Sequence, residues 1–474
     1  MREKDLKYML DTYLDFPRDI NQLFFKKVLA SNFLSVEKNA IILGPKNKIS
    51  VVPAVLAKFK MPIRKKIMIV LLCVYLLICY TLKLISLTKY DNSQNLTIIY
   101  SLTRDQIYRK MKLSSLHEFL DSDRFDINKR SEIWVENKSI NLKRKYKKLY
   151  VVFDIQLSLY SHQFDFRKRL NILTNIYKNF LKFLRFVNKK DANFLIAKEY
   201  IFDSEVLNHI NPLKIDKVIT TQSQLMFQPL IFEMKILKKK RFMLWYSSNS
   251  IPLEYKKPKA LRYEVPKMIY RYMEIDQHWV WNKEHSDYLT NTMKVQSRVK
   301  GPMLFYMPSA STPVTRKIDV LIFDITPTSN ADINQNSIYT CGDSKKFVTE
   351  IIDACSYLEE KYRIRVSVFL KPKRRYSTVH DFNYINFLDD LDRTGRLKIL
   401  QFDENLYDLV KVSKIVIGYP FVSPVIIGRG EKVASYFYSS SKLLKMAPKY
   451  NASFFIQNPE NLQLELEKVL VLRR

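Results

Sequence analysis

The sequence predicts an α/β protein of two Rossmann-like domains facing a cleft, preceded by an N-terminal helical, membrane-associating extension. Three observations lead there. Short β-branched runs alternate with amphipathic segments over 96–310 and again over 317–474, the pattern of parallel sheets clothed by helices. At 474 residues the chain is too long for one ordinary core and suits two domains of about 150–250 residues. Finally, VIGYPFVSP at 416–424 runs from a buried strand through a glycine to Ser423 and Pro424, an N-cap followed by a first-turn proline. A strand, a sharp turn and a helix start in that order are where α/β folds hold phosphates, although the same residues also suit an ordinary connecting loop.

Composition narrows the classes. The formal charge is +32, compatible with nucleic acid, an anionic membrane or phosphate-bearing substrates, but the lysines are spread along the chain instead of forming one basic arm. Only 7 glycines accompany abundant Lys, Ile, Tyr and Phe, a bias that base composition of the gene can also produce. Four cysteines, none in a C-x-x-C pair, fit a reducing compartment. The six histidines are scattered, and His278 and His285 read as structural, so no metal site is expected.

The first region, 1–95, starts with MREKDLK and lacks the early apolar core of a secretory signal. Residues 6–34 have helical apolar spacing. The segment 67–87, IMIVLLCVYLLICYTLKLISL, follows Arg64, Lys65 and Lys66 and is of borderline spanning length. Residues 1–66 hold 14 Lys/Arg against 6 Asp/Glu, and residues 88–474 hold 64 against 41. Neither flank therefore looks translocated, and a helix lying on the cytoplasmic leaflet, a buried helix and a span all stay open.

The second region, 96–310, reads as the first Rossmann-like domain. Strands are predicted at 96–102, 148–155, 216–223, 241–252 and 299–306, with helices over 166–187 and around Pro229 to Lys239. Ligands bind beyond the carboxyl ends of parallel strands. Thr220, Thr221, Gln222 and Ser223 follow one such strand; Tyr246, Ser247, Ser248, Asn249 and Ser250 follow another and suit hydroxyl recognition, or simply make the turn. Trp279 and Trp281 in HWVWNKEHSDYL read as packing residues.

The third region, 317–474, repeats the pattern as a second Rossmann-like domain. Strands are predicted at 317–327, 363–375, 397–403, within KIVIGYP and at 432–438, and helices over 344–361, 404–413 and 459–470. The strand end FLKPKRR delivers Lys371, Lys373, Arg374 and Arg375, which can neutralise a diphosphate; Glu404 can hold a ribose or sugar hydroxyl. Walker, G-x-G-x-x-G and G-x-S-x-G signatures are all absent, which argues against standard kinases, dinucleotide dehydrogenases and simple serine hydrolases.

YPFVS at 419–423, WYSSNS at 245–250, HWVWNKEHSDYL, KGPMLFY and FLKPKRR, which in their order along the chain span roughly residues 216–440, about half of it, resemble the bacterial polysaccharide biosynthesis proteins named for a PFTS motif. That family is similar in layout to two-domain GT-B glycosyltransferases. The resemblance implies nucleotide-sugar-dependent assembly of a surface polysaccharide, with donor phosphates near Tyr419, Pro420, Phe421 and Ser423. Val422 stands where the motif name has threonine, so the backbone and Ser423 would serve alone. Implied with it are a nucleotide sugar as substrate, no cofactor, a lipid-linked or oligosaccharide acceptor, the inner face of the cytoplasmic membrane, and no nucleic acid. The catalytic base is left open among Asp154, Asp165, Glu254 and His162. Two other classes also stay open, a non-catalytic basic membrane-surface or nucleic-acid-binding protein and an epimerase-like enzyme on nucleotide sugars.

Overall fold

The computed structural model describes residues 63–85, 95–100, 116–117, 120, 125–128, 131–136, 144–152, 154–186, 197–221, 229–245, 253–255, 275–293, 295–301, 316–327, 340–373, 375–377, 380–420, 422–441, 444–446 and 454–472. The helical reading of 6–34 lies outside them, as does most of the strand expected at 299–306. The chain divides into two compact units, residues 1–244 with 261–278, and residues 245–260 with 279–474.

The first unit opens with α1, Ile63–Ile85. Cys73, Leu76, Leu77 and Tyr80, spaced three and four apart, sink into the core. Tyr80 stacks on Phe202 at 5.4 Å and tilts against Tyr160 at 4.9 Å. The N-terminal apolar helix is thus present, and its buried stripe joins this unit's core. β1 (Leu96–Tyr100) is buried at all five positions and occupies the middle of the sheet. It pairs in parallel with β2 (Glu132–Glu136) on one side. A short β3 (Arg144–Tyr146) turns back through Lys147 into β4 (Leu149–Val152).

The strand expected over 148–155 stops at Val152 because Asp154 takes the N-cap of α2, Ile155–Gln163, accepting from Leu157 N at 2.9 Å. α3, Phe166–Phe186, follows, and Arg169 Nη1 on it donates to Lys83 O at the end of α1 (2.9 Å). α4 is Ser204–His209, and β5 (Ile215–Thr220) pairs with the other side of β1. The helix expected from Pro229 to Lys239 is instead two 3₁₀ turns, Leu230–Glu233 and Lys235–Leu237. They aim Phe232 O at Arg241 Nη1 (2.9 Å), whose guanidinium also pairs with Asp276. β6, Arg241–Leu244, closes the run.

β7 (Leu253–Tyr255), β8 (Gln277–Val280), α5 (Lys283–Met293) and β9 (Ser297–Val299) follow. The eight-stranded sheet has the order β3-β4-β2-β1-β5-β6-β8-β9. Trp245, at the end of β6, belongs to the second unit for a local reason. Its N–H donates to Trp279 O (3.0 Å) and its carbonyl accepts from Trp281 Nε1 (2.6 Å), with both Trp279 and Trp281 buried as packing residues.

The second sheet begins at β10, Ile318–Phe323. α6 spans Cys341–Tyr362, capped by Thr340. β11 is Val368–Leu370, far shorter than the 363–375 expected, and α7, Phe382–Arg393, was not anticipated. β12 (Lys398–Ile399), α8 (Leu406–Lys411), β13 (Ser413–Gly418), α9 (Pro424–Gly430) and β14 (Ala434–Tyr438) follow. β15 (Leu444–Met446) pairs antiparallel with β7, and β16 (Phe455–Ile456) precedes α10 (Pro459–Leu470). This sheet is parallel throughout, in the order β12-β11-β10-β13-β14-β16. Taking its strands in chain sequence, that is 3-2-1-4-5-6, the Rossmann order.

The parallel part of the first sheet, β4-β2-β1-β5-β6, has the matching order 3-2-1-4-5. Both units are thus Rossmann-like α/β sheets. Among the described residues Asp126, Lys147, Lys239, Arg363 and Lys432 adopt positive φ without being glycine.

Candidate nucleotide-sugar site

In a sheet of order 3-2-1-4-5-6 the chain leaves strands 1 and 4 in opposite directions, which opens a crevice beyond their carboxyl ends. In the second unit those strands are β10 and β13. The VIGYPFVSP turn is the exit from β13, so it stands at this switch point. Gly418 ends the strand because a Cβ there would sit 2.5 Å from Val422 Cγ2 and 2.5 Å from Val425 Cγ2. Val422 is buried against that glycine, so position 422 serves packing in this chain.

Tyr419 donates its N–H to Phe323 O (2.9 Å), fastening the turn to the end of β10, and its buried ring meets Phe347 edge-on at 5.0 Å. Pro420 is buried; Phe421 lies outside the described residues. Ser423 stands at the N-cap with Pro424 behind it, as expected, yet its backbone is already helical and its side chain makes no capping bond. Its carbonyl receives Ile426 N (3.0 Å) and Ile427 N (3.3 Å). Since α9 has only seven residues, its dipole is a small contributor to any anion affinity here.

The cationic strand end separates into unlike parts. Lys371 is buried, with Nζ donating to Phe402 O (2.7 Å) and Pro372 O (3.4 Å), so its ammonium is committed to loop carbonyls. Lys373 and Arg375 are exposed; Arg374 is outside the described residues. Glu404 accepts from Arg316 Nη1 (3.2 Å) and from Gln401 N (3.0 Å), which ties it into the loop before α8. The polar stretch Tyr246, Ser247, Ser248, Asn249 and Ser250 is outside the described residues.

The structure adds a group that the sequence reading passed over. Asp324, the first residue beyond β10, is 2 % exposed. Its Oδ2 accepts from Tyr384 Oη (2.8 Å) and Thr326 Oγ1 (3.5 Å), while Oδ1 is buried without a hydrogen-bond partner among the described residues. Burial pushes its carboxyl up to about 6, against the pull of the Tyr384 and Thr326 hydrogen bonds and the Lys373 charge. Tyr376 Oη, in the loop after β11, is likewise buried and unpartnered, and burial together with Asp324 raises its phenol. The Tyr376 ring faces His380 at 6.4 Å, and Asp381 N donates to Pro327 O (2.9 Å), drawing the ends of β10 and β11 and the start of α7 together. The signal was present in IFDITP, an acid directly after the first strand of a repeating α/β unit, where sheets of this order meet their ligands.

In the first unit the corresponding strand ends are those of β1 and β5. Thr221 Oγ1 donates to Tyr100 O (3.3 Å), and Thr220 Oγ1 is buried with no partner among the described residues. Of the residues left open as a base, Asp154 caps α2 and pairs with Lys198 (3.0 Å), and Asp165 accepts from Lys168 N (2.8 Å) at the start of α3. His162 lies within α2, not in a loop, edge-on to Trp134 at 5.6 Å. The side chain of Glu254 is outside the description. His278 and His285 are both buried, and His285 packs edge-on against Trp245 at 5.0 Å.

Comparison with solved structures finds similarity to an α,α-trehalose-phosphate synthase (UDP-forming) from Burkholderia vietnamiensis, at 9% identity over 80% of this chain and 92% of that one, TM-score 0.38. A UDP-GlcNAc 2-epimerase from Methanocaldococcus jannaschii is similar at 11% identity over 79% and 92%, TM-score 0.37. The wall teichoic acid polymerase TagF is similar at 10% identity over 85% and 88%, TM-score 0.39. Likeness at this level leaves the functional argument to the site itself. No curated protein matches the chain. The family described as polysaccharide biosynthesis PFTS motif protein matches residues 202–466, more than half of the chain and every strand of the second sheet. The chain belongs to that family.

Proposed function

We propose that the protein is a glycosyltransferase that uses a nucleotide-sugar donor to build a bacterial surface polysaccharide, such as a capsule or O-antigen. The observation that supports this reading best is the coincidence, at one switch point, of the motif turn 419–423, the exposed Lys373 and the unpartnered polar atoms of Asp324 and Tyr376. In this reading the second unit takes the donor and the first unit the acceptor, a lipid-linked sugar or an oligosaccharide. As the glycosidic bond to the diphosphate breaks, negative charge grows on the leaving phosphate. Lys373, with Arg374 and Arg375 on the same loop, offsets that charge, and the turn at Tyr419 to Ser423 shapes the crevice around it. Lys371 and Glu404 support this reading by fixing the loops that carry the site, while Tyr246 to Ser250 supply hydroxyl contacts.

Transfer needs no metal in this reading, because side-chain cations do the work of a divalent ion. The enzyme works as a peripheral protein at the inner face of the cytoplasmic membrane, where a lipid-linked acceptor would be available. Binding of a panel of nucleoside diphosphates and their sugars, measured by calorimetry, tests the proposal. Wild type is expected to bind at least one of them, and Lys373→Ala to weaken it about tenfold while keeping its circular dichroism. A wild type that binds none of them, or an alanine variant that binds as tightly, overturns it.

A further inference from the structure

We propose that the exposed flanks of α1 and α3 form a docking surface for an anionic bilayer, with α1 lying along the interface instead of crossing it. This deepens the membrane placement above and does not depend on the sugar chemistry. Of the 21 large apolar side chains exposed among the described residues, nine are on α1 and five on α3. On α1, Ile67, Leu71, Tyr75, Ile78 and Leu82 fall on the side opposite the buried stripe of Cys73, Leu76, Leu77 and Tyr80. α3 packs beside it with Ile172, Ile176 and Phe183 inward. Leu170, Tyr177, Leu181 and Leu184 are exposed along one flank, and Lys178, Lys182 and Arg185 along the next. So large an apolar display marks an interaction surface.

Charge selects the occupant. The two helices together carry ten Lys/Arg and no Asp or Glu. A second copy of the same face would bring like charges together, whereas phosphate headgroups above an acyl layer complement both the cations and the apolar flank. Packing selects the geometry. At 23 residues α1 is about 34 Å long, enough to cross a bilayer, so length does not decide. A lone spanning helix meets lipid on every side. α1 instead has one side closed by Tyr160 and Phe202 around Tyr80, and its last turn is held by Arg169 at the Lys83 carbonyl. Among the described residues, only the opposite side is available to lipid.

Flotation of the full-length protein with phosphatidylcholine vesicles, with and without phosphatidylglycerol, tests this. Binding at least about tenfold stronger to the phosphatidylglycerol vesicles, and weakened by salt, is expected. The Leu71→Glu/Ile78→Glu variant should lose about tenfold or more of that binding, and Lys178→Glu/Lys182→Glu should lose the preference for anionic lipid. Both should keep wild-type circular dichroism and nucleotide binding, because the altered side chains are exposed and lie outside the donor unit. Alkaline carbonate should release the protein from native membranes. Equal binding to both vesicle types, full binding by the Leu71→Glu/Ile78→Glu variant, retention after carbonate, or a stable dimer dissociated by those substitutions each overturns the proposal. Since vesicle binding is read without a donor, its failure is distinct from failure of the glycosyltransferase reading.

Discussion

Asp324 carries its proton more readily in the folded chain than in the unfolded one, because its buried site disfavours the charge and its carboxyl rises to about 6. The folded state therefore binds more protons between about pH 4 and pH 6, so this group's stabilisation is present below pH 4 and is lost as pH rises through 6. At neutral pH the loss is about 3 kcal/mol. Asp324→Asn, which keeps the shape and removes the charge, should flatten the stability profile over that window in urea titrations. Lys371 and Lys373 make a second contrast. Lys371→Met should cost about 1–3 kcal/mol, because the partly buried hydrogen bond to Phe402 O is lost. Lys373→Ala should weaken nucleotide binding about tenfold. In the sequence the two lysines belong to one cationic run, KPKRR. Which of them turns inward depends on the position of Phe402, 31 residues further on, and no local pattern carries that.

At the scale of elements, the glycine that ends β13 is the least replaceable residue of the site. Gly418→Ala forces a methyl against Val422 and Val425 and should destabilise by about 1–3 kcal/mol, measured by thermal or denaturant unfolding. Strongly periodic elements were legible from the residues alone: α10 matches its expected span of 459–470, and the buried apolar runs of β1, β10 and β13 were read as strands. β2 was not, because Glu132 and Glu136 bracket it. Glu132 is occupied by Trp134 Nε1 and Tyr150 Oη, both at 3.0 Å, contacts that only the folded sheet supplies. α7 was hidden by Asp389, Asp390 and Asp392, although Tyr384, Leu388 and Leu391 keep helical spacing beneath them. The strand order, and with it the switch point, is set by non-local pairing, which periodicity does not encode. Asp324 was overlooked for that reason, while the motif turn was noticed from its local chemistry.

Across the whole molecule, two sheets share one strand order, and the proposed chemistry assigns the donor to one unit and the acceptor to the other, with protein cations in place of a metal. Sugar transfer measured in excess chelator should therefore proceed at its full rate; loss of activity that magnesium or manganese restores would remove this part of the proposal. Among the described residues, five that are not glycine adopt left-handed backbone. Four of them are cationic, Lys147, Lys239, Arg363 and Lys432, in a chain that has only 7 glycines. Arg363 terminates α6 at φ 49° and ψ 44°, a helix-ending position that glycine fills at lower steric cost, so Arg363→Gly should raise the melting temperature by a few degrees. A protein assembled from a glycine-poor alphabet thus holds mild conformational tension at its corners. Those corners are where engineering for heat tolerance can begin.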